Sequence, residues 1–373
     1  MPQPQPDERR RPKAADLSPP QIAAELRRHV IGQENATERM AILVRQHALS
    51  AGTMRIGIGP PDPDLRCGPA LIMGPTGCGK TLLVRTAAAL MGLPYSYEDC
   101  TSLTETGFVG RDLSSVMDSL VRTCGGSISR AENGGVVFLD EADKVRRKPS
   151  RNGPDISGEG VQRSLLALMD GSTVQVEVSG KRNVGFRIRT SGMLVLAGGA
   201  FVGLADMIQK RTRGRAGRIG FGARESHRDR RLREGELMRL VLPEDLISYG
   251  MMAEFCGRLA EIIVLDDLGP EQLLRILTES EEGPLQRAEV LAAREGIELA
   301  WTPRLLARIA AEASEGLGAR SLVPLISRAT RRVMFEGADL VRKRSSQDLL
   351  RVQLDADALD GGRYRVVRRR REA

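Results

Sequence analysis

The chain has 373 residues, 41% hydrophobic and 28% charged, which is ordinary globular usage and excludes wholesale disorder or a fibrous repeat. At about 150 residues per domain there is room for two or three domains. A net charge of +8 admits a nucleic-acid partner, yet 49 of the 56 basic residues are arginines spread through every region and aromatics are only 3%, so neither a dedicated basic face nor a base-stacking platform is indicated.

Residues 1–17 are rich in Pro, Arg and Asp, lack periodicity, and read as a disordered arm with no apolar stretch after its charges. Ser18 is a candidate N-cap for a helix carrying Pro19, Pro20 and the apolar positions Ile22, Ala23 and Leu26. Three short apolar runs, at 70–73, 136–139 and 193–197, separate segments of helical period; this is the pattern of strands buried on both faces of a parallel sheet. Residues 210–233 alternate Arg, Gly and Asp229 with almost nothing apolar and read as a long mobile surface loop. Beyond Leu265 come amphipathic helices at 270–277, 303–313 and, after a Gly316/Gly318 break, 322–335, with strands at 350–354 and 363–367.

The fold class is therefore α/β, and four segments are expected: the arm 1–17, a large domain 18–265, a smaller, mostly helical α/β domain 266–368, and a basic tail 369–373. No apolar run approaches the ~18 residues that would span a bilayer, so no membrane role and a cytoplasmic location are expected. Cys67, Cys78, Cys100, Cys124 and Cys256 are scattered and form no CxxC pair, which excludes a disulfide framework or a zinc site of ordinary spacing.

The strongest local signal is Gly74-Pro75-Thr76-Gly77-Cys78-Gly79-Lys80-Thr81, a GxxxxGK[ST] loop between the first apolar run and the helical Leu82-Leu83-Val84. Glycines let backbone N–H groups curl around phosphate at a helix N-terminus, Lys80 reaches the β and γ phosphates, and the Thr81 hydroxyl suits Mg²⁺. With so few lysines in the chain, the expected number of chance matches is on the order of 0.01. Residues 136–141, VVFLDE, end a buried strand in two adjacent carboxylates. Asp140 is placed to hold the metal and Glu141 to polarise the attacking water. Alone such a pair also fits a solvated turn; sixty residues after a phosphate loop, the catalytic reading is the stronger.

Cys78 lies at a helix N-terminus beside Lys80, where dipole and cation favour thiolate, so a reactive, ATP-shielded thiol is one expectation and a small packing residue the other.

These residues resemble the AAA+ superfamily, and within it the ClpX family of protein unfoldases. Val30-Ile31-Gly32-Gln33 is similar to the motif that flanks adenine in Clp ATPases, and TSLTETGFVGRD (101–112) to the stretch bearing the first pore loop. GVVFLDEADKV, SGEGVQRSLL from Ser157, LAGGAF (196–201), IGFGA (219–223), PEDLISYGMMAEFCGRL (243–259) and GARSL (318–322) follow in order, so the resemblance covers about 18–368.

It implies a P-loop ATPase domain plus a small domain, with nucleotide held between them. ATP and Mg²⁺ would be bound by Val30, Ile31, Pro75 to Leu82, Asp140 and the sensor arginine Arg320, and hydrolysis would change the angle between the domains and move Phe108. Arg258 would be the finger completing a neighbouring subunit's site. Phe108 and Val109 would grip substrate, and Ile219, Gly220 and Phe221 would dock a ClpP-type peptidase. The assembly implied is a homohexamer that unfolds tagged proteins and feeds them to the peptidase.

From the residues alone, Arg258 also fits a surface ion pair, Arg320 a helix-end charge, Phe108 a core aromatic and Phe221 a tip folded back on its own domain. A nonproteolytic remodeller is the alternative function, and a nucleic-acid motor the more distant one. Several positions depart from the family pattern. The family's four-cysteine zinc domain has no counterpart in 1–17, which leaves adaptor docking open. Phe replaces Tyr at 108, Arg111 stands where an acid is usual, and 147–156 is short. Lys181-Arg182-Asn183 replaces Arg-Lys-His, and Cys78 replaces a small hydroxyl residue.

Overall fold

The computed structural model describes residues 17–51, 67–103, 113–147, 156–177, 185–213, 234–280, 283–342, 349–362 and 364–367. The chain divides into two compact units, one drawn from Met1–Leu26, Gln33–Pro75 and Lys80–Leu265, the other from Arg27–Gly32, Thr76–Gly79 and Asp266–Ala373.

In the first unit, α1 (Pro19–His29, whose last turn belongs to the second unit) and α2 (Glu34–Ser50) precede β1 (Ala70–Met73) and α3 (Lys80–Leu90). Then follow β2 (Tyr95–Asp99), α4 (Leu113–Thr123), α5 (Ile128–Gly134), β3 (Val136–Asp140), α6 (Ile156–Met169) and the hairpin β4 (Thr173–Glu177) and β5 (Gly185–Arg189). The unit closes with β6 (Leu194–Gly199), α7 (Leu204–Arg213), α8 (Pro243–Tyr249), α9 (Ala253–Arg258) and β7 (Glu261–Val264). Five strands form one parallel sheet in the order β2-β3-β6-β1-β7. Every residue of β1, β3 and β6 is buried, as central strands covered on both faces must be, and Asp140 at the end of β3 is their one charged residue. Leu71, Met117, Leu120, Val137, Leu139, Leu165, Ile208 and Phe255 make the core.

The edge strands β2 and β7 were not expected from the sequence. β2 reads YSYED, and its buried positions are Ser96 and Glu98 while Tyr97 is 44% exposed, the reverse of the usual alternation. The polar side chains are tolerated inside because each is paired: Ser96 donates to the Val116 carbonyl and Glu98 accepts from Ser102.

The second unit holds α10 (Pro270–Glu279), α11 (Pro284–Arg294), β8 (Ile297–Trp301), α12 (Pro303–Glu315), α13 (Leu322–Arg342), β9 (Leu350–Leu354) and β10 (Arg365–Val366). β9 pairs parallel to β8 and antiparallel to β10. Leu273, Leu277, Leu305, Ile309, Ile326, Val333 and Val352 bury its core. Thr302 caps α12 by accepting from the Leu305 N–H, with Pro303 at the first helical position.

Five expectations need correction. Residues 210–213 are the last turn of α7, held because Arg211 forks onto Asp245 at 2.7 and 2.9 Å, and 214–233 lie outside the described residues. At α1 the cap works in the other direction: the Gln21 carboxamide accepts from both the N–H and the hydroxyl of Ser18. Leu17, assigned to the arm, is buried, and Arg45 donates to its carbonyl. The last strand is only two residues long, and the third apolar run begins as a turn at Met193. Among the described residues no helix is long and apolar enough to cross a membrane, and all five cysteines are free.

Candidate active site

The site is built where β1, β3 and β6 end side by side. β1 runs into Gly74, whose N–H donates to the Gly199 carbonyl at 3.2 Å, and the loop then turns into α3. Gly77, at φ +82°, takes a backbone conformation that side chains disfavour, and a Cβ there would lie 2.0 Å from the Leu317 carbonyl oxygen. Lys80 at the start of α3 returns over the loop, its ammonium donating to the carbonyls of Gly74 (2.7 Å) and Pro75 (2.9 Å). Thr76 is exposed, Leu82 is 36% exposed, and the Cys78 side chain is buried at 2% exposure, which favours the packing reading of that thiol. Val30 and Ile31 are buried, and Val30 Cγ1 stands 3.9 Å from where a Gly79 Cβ would be.

The two motifs meet through one hydrogen bond. Thr81 Oγ1 donates to Asp140 Oδ2 at 3.1 Å, and Asp140 Oδ1 accepts from the Glu141 N–H at 2.9 Å. Asp140 is 5% exposed, so these bonds offset the cost of burying its carboxylate. Glu141 has φ +56°, a left-handed angle costing a non-glycine residue about 1–3 kcal/mol. That angle turns the chain sharply out of β3 into the 142–145 turn, where the Lys144 N–H closes onto the Glu141 carbonyl at 2.9 Å. Beside it, burial, reinforced by the surrounding carboxylates, pushes the Cys100 thiol far up and keeps it neutral.

Sequence reasoning passed over two residues here. Asp143 is buried and accepts from the Ala200 N–H at 3.3 Å, which ties the end of β3 to the end of β6. Gly199 leaves the space: a Cβ there would stand 2.6 Å from Asp143 Oδ1. Phe201 is the second left-handed non-glycine residue, at φ +50°, buried against Tyr249 with ring centroids 5.5 Å apart. Asp143 was visible as a third acid after LDE; nothing in the sequence marked the angle at Phe201.

Arg258, the last residue of α9, forks onto Asp170: Nη2 stands 2.9 Å from Oδ2, and Nε faces Oδ1. The ion pair proposed as its alternative thus exists within one chain. Arg320 is exposed, in a turn (Gly318–Ser321) whose Ala319 N–H donates to the Gly77 carbonyl at 3.3 Å. Phe108, Val109, Ile219, Gly220 and Phe221 lie outside the described residues.

The arrangement fits a nucleotide and its metal. Gly77 and Gly79 have positive φ at a helix N-terminus, Lys80 brings a cation to the loop, and the Thr81 hydroxyl and Asp140 carboxylate are hard oxygen donors in contact.

Residues 66–262 match the model of the AAA domain (Cdc48 subfamily). The chain is 39% identical over 357 residues, 92% of its length and 80% of the relative's, to the ATP-dependent Clp protease ATP-binding subunit ClpX 3 of Methylococcus capsulatus. It is 36% identical to ClpX of Azotobacter vinelandii over 85% of this chain and 74% of that one, and 34% identical to ClpX of Borrelia duttonii over 86% and 74%. An AAA-domain match across more than half the chain, and relatives of this identity aligned over most of both partners, place it: the chain belongs to the ClpX family of AAA proteins.

Proposed function

We propose that the chain is an ATPase that unfolds and translocates proteins and delivers them to a ClpP-type peptidase, acting as a homohexameric ring. The observation that carries the ATPase chemistry is the Thr81–Asp140 hydrogen bond, because it joins the phosphate loop to the acid pair at neighbouring strand ends. The names of the relatives, ATP-binding subunits of a Clp protease, support the peptidase partnership.

The loop N–H groups and Lys80 bind the phosphates, with Lys80 exchanging its bonds to Gly74 and Pro75 for phosphate oxygens. Thr81 and Asp140 would hold Mg²⁺, which when bound neutralises charge on the phosphates. Glu141, the neighbour of Asp140 in sequence, orients the attacking water and takes its proton. Arg258 completes the site of the adjoining subunit, and Arg320, on the turn bonded to Gly77, senses the bound nucleotide. Phe108 and Val109 push the substrate chain, and Ile219, Gly220 and Phe221 dock the peptidase.

The test is ATP-driven degradation of a stably folded, tagged reporter with a ClpP-type peptidase present. The parent should degrade it. Glu141→Gln should not, and Phe221→Ala should keep basal ATPase while losing degradation. Unfolding of the reporter without any peptidase-dependent degradation by the parent would select the nonproteolytic remodeller instead.

A further inference from the structure

Arg258 ends a six-residue helix and its side chain is 44% exposed. A long side chain so placed samples many rotamers, and a cation required at one spot in a neighbouring site would lose rate through that freedom. Asp170, the first residue beyond α6, removes it. Its two oxygens face Nε and Nη2, a side-on fork that occupies the inner edge of the guanidinium. Two of the five N–H donors are used this way, and the outer edge keeps donors for a second anion.

Both partners stand on fixed backbone. The Asp170 N–H bonds the Leu166 carbonyl, and the following turn is closed by Ser172, whose N–H and hydroxyl both donate to the Ala167 carbonyl at 3.3 and 2.6 Å. Thr190 then donates back to Ser172 and to Leu168. On the other side, Phe255 and Cys256 are buried just before Arg258, and the Ala260 N–H bonds the Pro69 carbonyl at the entry to β7. A half-exposed pair such as this contributes little to folding stability, so orientation is what remains for it to supply.

We propose that Asp170 is a positioning residue for Arg258: it holds the guanidinium side-on, so that the outer edge meets the terminal phosphate bound by the P-loop of an adjacent copy of this chain. This rests on the trans-acting reading of Arg258. Asp170 acts on neither the nucleotide nor the attacking water, and its effect passes entirely through the arginine. Its loss is therefore felt in the neighbour's site and not in its own.

Pure rings of Asp170→Asn, with hexamers confirmed by sedimentation, should show kcat for ATP lowered tenfold or more and KM within about threefold of the parent. Mixing these subunits with Glu141→Gln subunits, which hydrolyse nothing but carry an intact Arg258–Asp170 pair, should restore turnover. Asp170→Glu should recover part of kcat, and Arg258→Ala combined with Asp170→Asn should be no worse than Arg258→Ala alone.

Impairment that mixing does not relieve would overturn the proposal in favour of a structural role. So would parental kcat in Asp170→Asn while Arg258→Ala is inactive and rescued in mixed rings. If Arg258→Ala itself hydrolyses ATP like the parent, the trans-acting reading fails, and the proposal falls with it. If Asp170→Asn does not assemble, Asp170→Ala carries the same mixing test, and parental kcat or unrelieved impairment there overturns the proposal equally.

Discussion

At the C-terminal edge of the parallel sheet, Glu141 and Phe201 take left-handed backbone angles and Asp140 and Asp143 are buried. In the second unit, no described non-glycine residue has a positive φ and no described carboxylate is buried. Its charges stay at the surface, where Arg308 pairs with Glu312 and Asp360 and Arg328 with Glu312. The first region gives up stability, about 1–3 kcal/mol for each strained residue, where the chain turns after β3 and β6. The second does the opposite and is held by apolar packing with a screened rim of ion pairs. Both strained residues lie at the strand ends that carry the candidate site, whereas the described part of the second unit is held without strain or buried carboxylates.

The sharpest break in that contrast comes at Glu141. Glu141→Gln keeps the left-handed turn and the Asp140 contact to its N–H, so nucleotide affinity should stay near parental while hydrolysis falls about 10²–10⁴-fold. Turnover and nucleotide titration read the two separately, and hydrolysis within twofold of the parent would remove Glu141 from its role. In the second unit the large effects should come from packing. Ile309, fully buried on α12, should cost about 2–5 kcal/mol of unfolding free energy when cut to Ala, read from denaturant midpoints.

His47 extends the contrast to a buried base within the first unit. Desolvation holds its imidazole down to about 4, against 6.5 ordinarily, with backbone contacts at Gly134 and Gly135 acting weakly the other way. Between those pH values the unfolded chain binds the proton and the folded chain does not. Stability is therefore complete above pH 6.5 and falls as pH drops toward 4, by about 3 kcal/mol from this group. Melting curves across that window should flatten in His47→Gln; an unchanged slope would mean that His47 is not its source. The smallest effect is expected on the rim. Arg308→Met should melt close to the parent, with any residual shift shrinking as salt is raised, because the pairs it removes are solvent-screened.

Much of the candidate site was legible because it is written contiguously. The phosphate loop needs glycines, a lysine and a hydroxyl in consecutive positions, and the acid pair needs only an apolar run ending in LDE, so Lys80, Thr81, Asp140 and Glu141 could be read in order. The central strands were legible for a similar reason, since double-sided burial demands uninterrupted apolar residues. β2 was not. Its inward residues are Ser96 and Glu98, made acceptable only by hydrogen bonds to Val116 and Ser102.

By itself the sequence determined the α/β class, the phosphate loop, the acid pair and, through ordered motifs, the family. Each of these is local, depending on neighbours a few residues apart whose periodicity or chemistry is visible along the chain. Only the tertiary structure decided which distant groups meet. Thr81 finds Asp140 across 59 positions, Asp143 finds Ala200 across 57, and Arg258 finds Asp170 across 88. No local pattern encodes such pairings, because they follow from the order of strands in the sheet and from where each helix ends, and those are settled by burying one shared core.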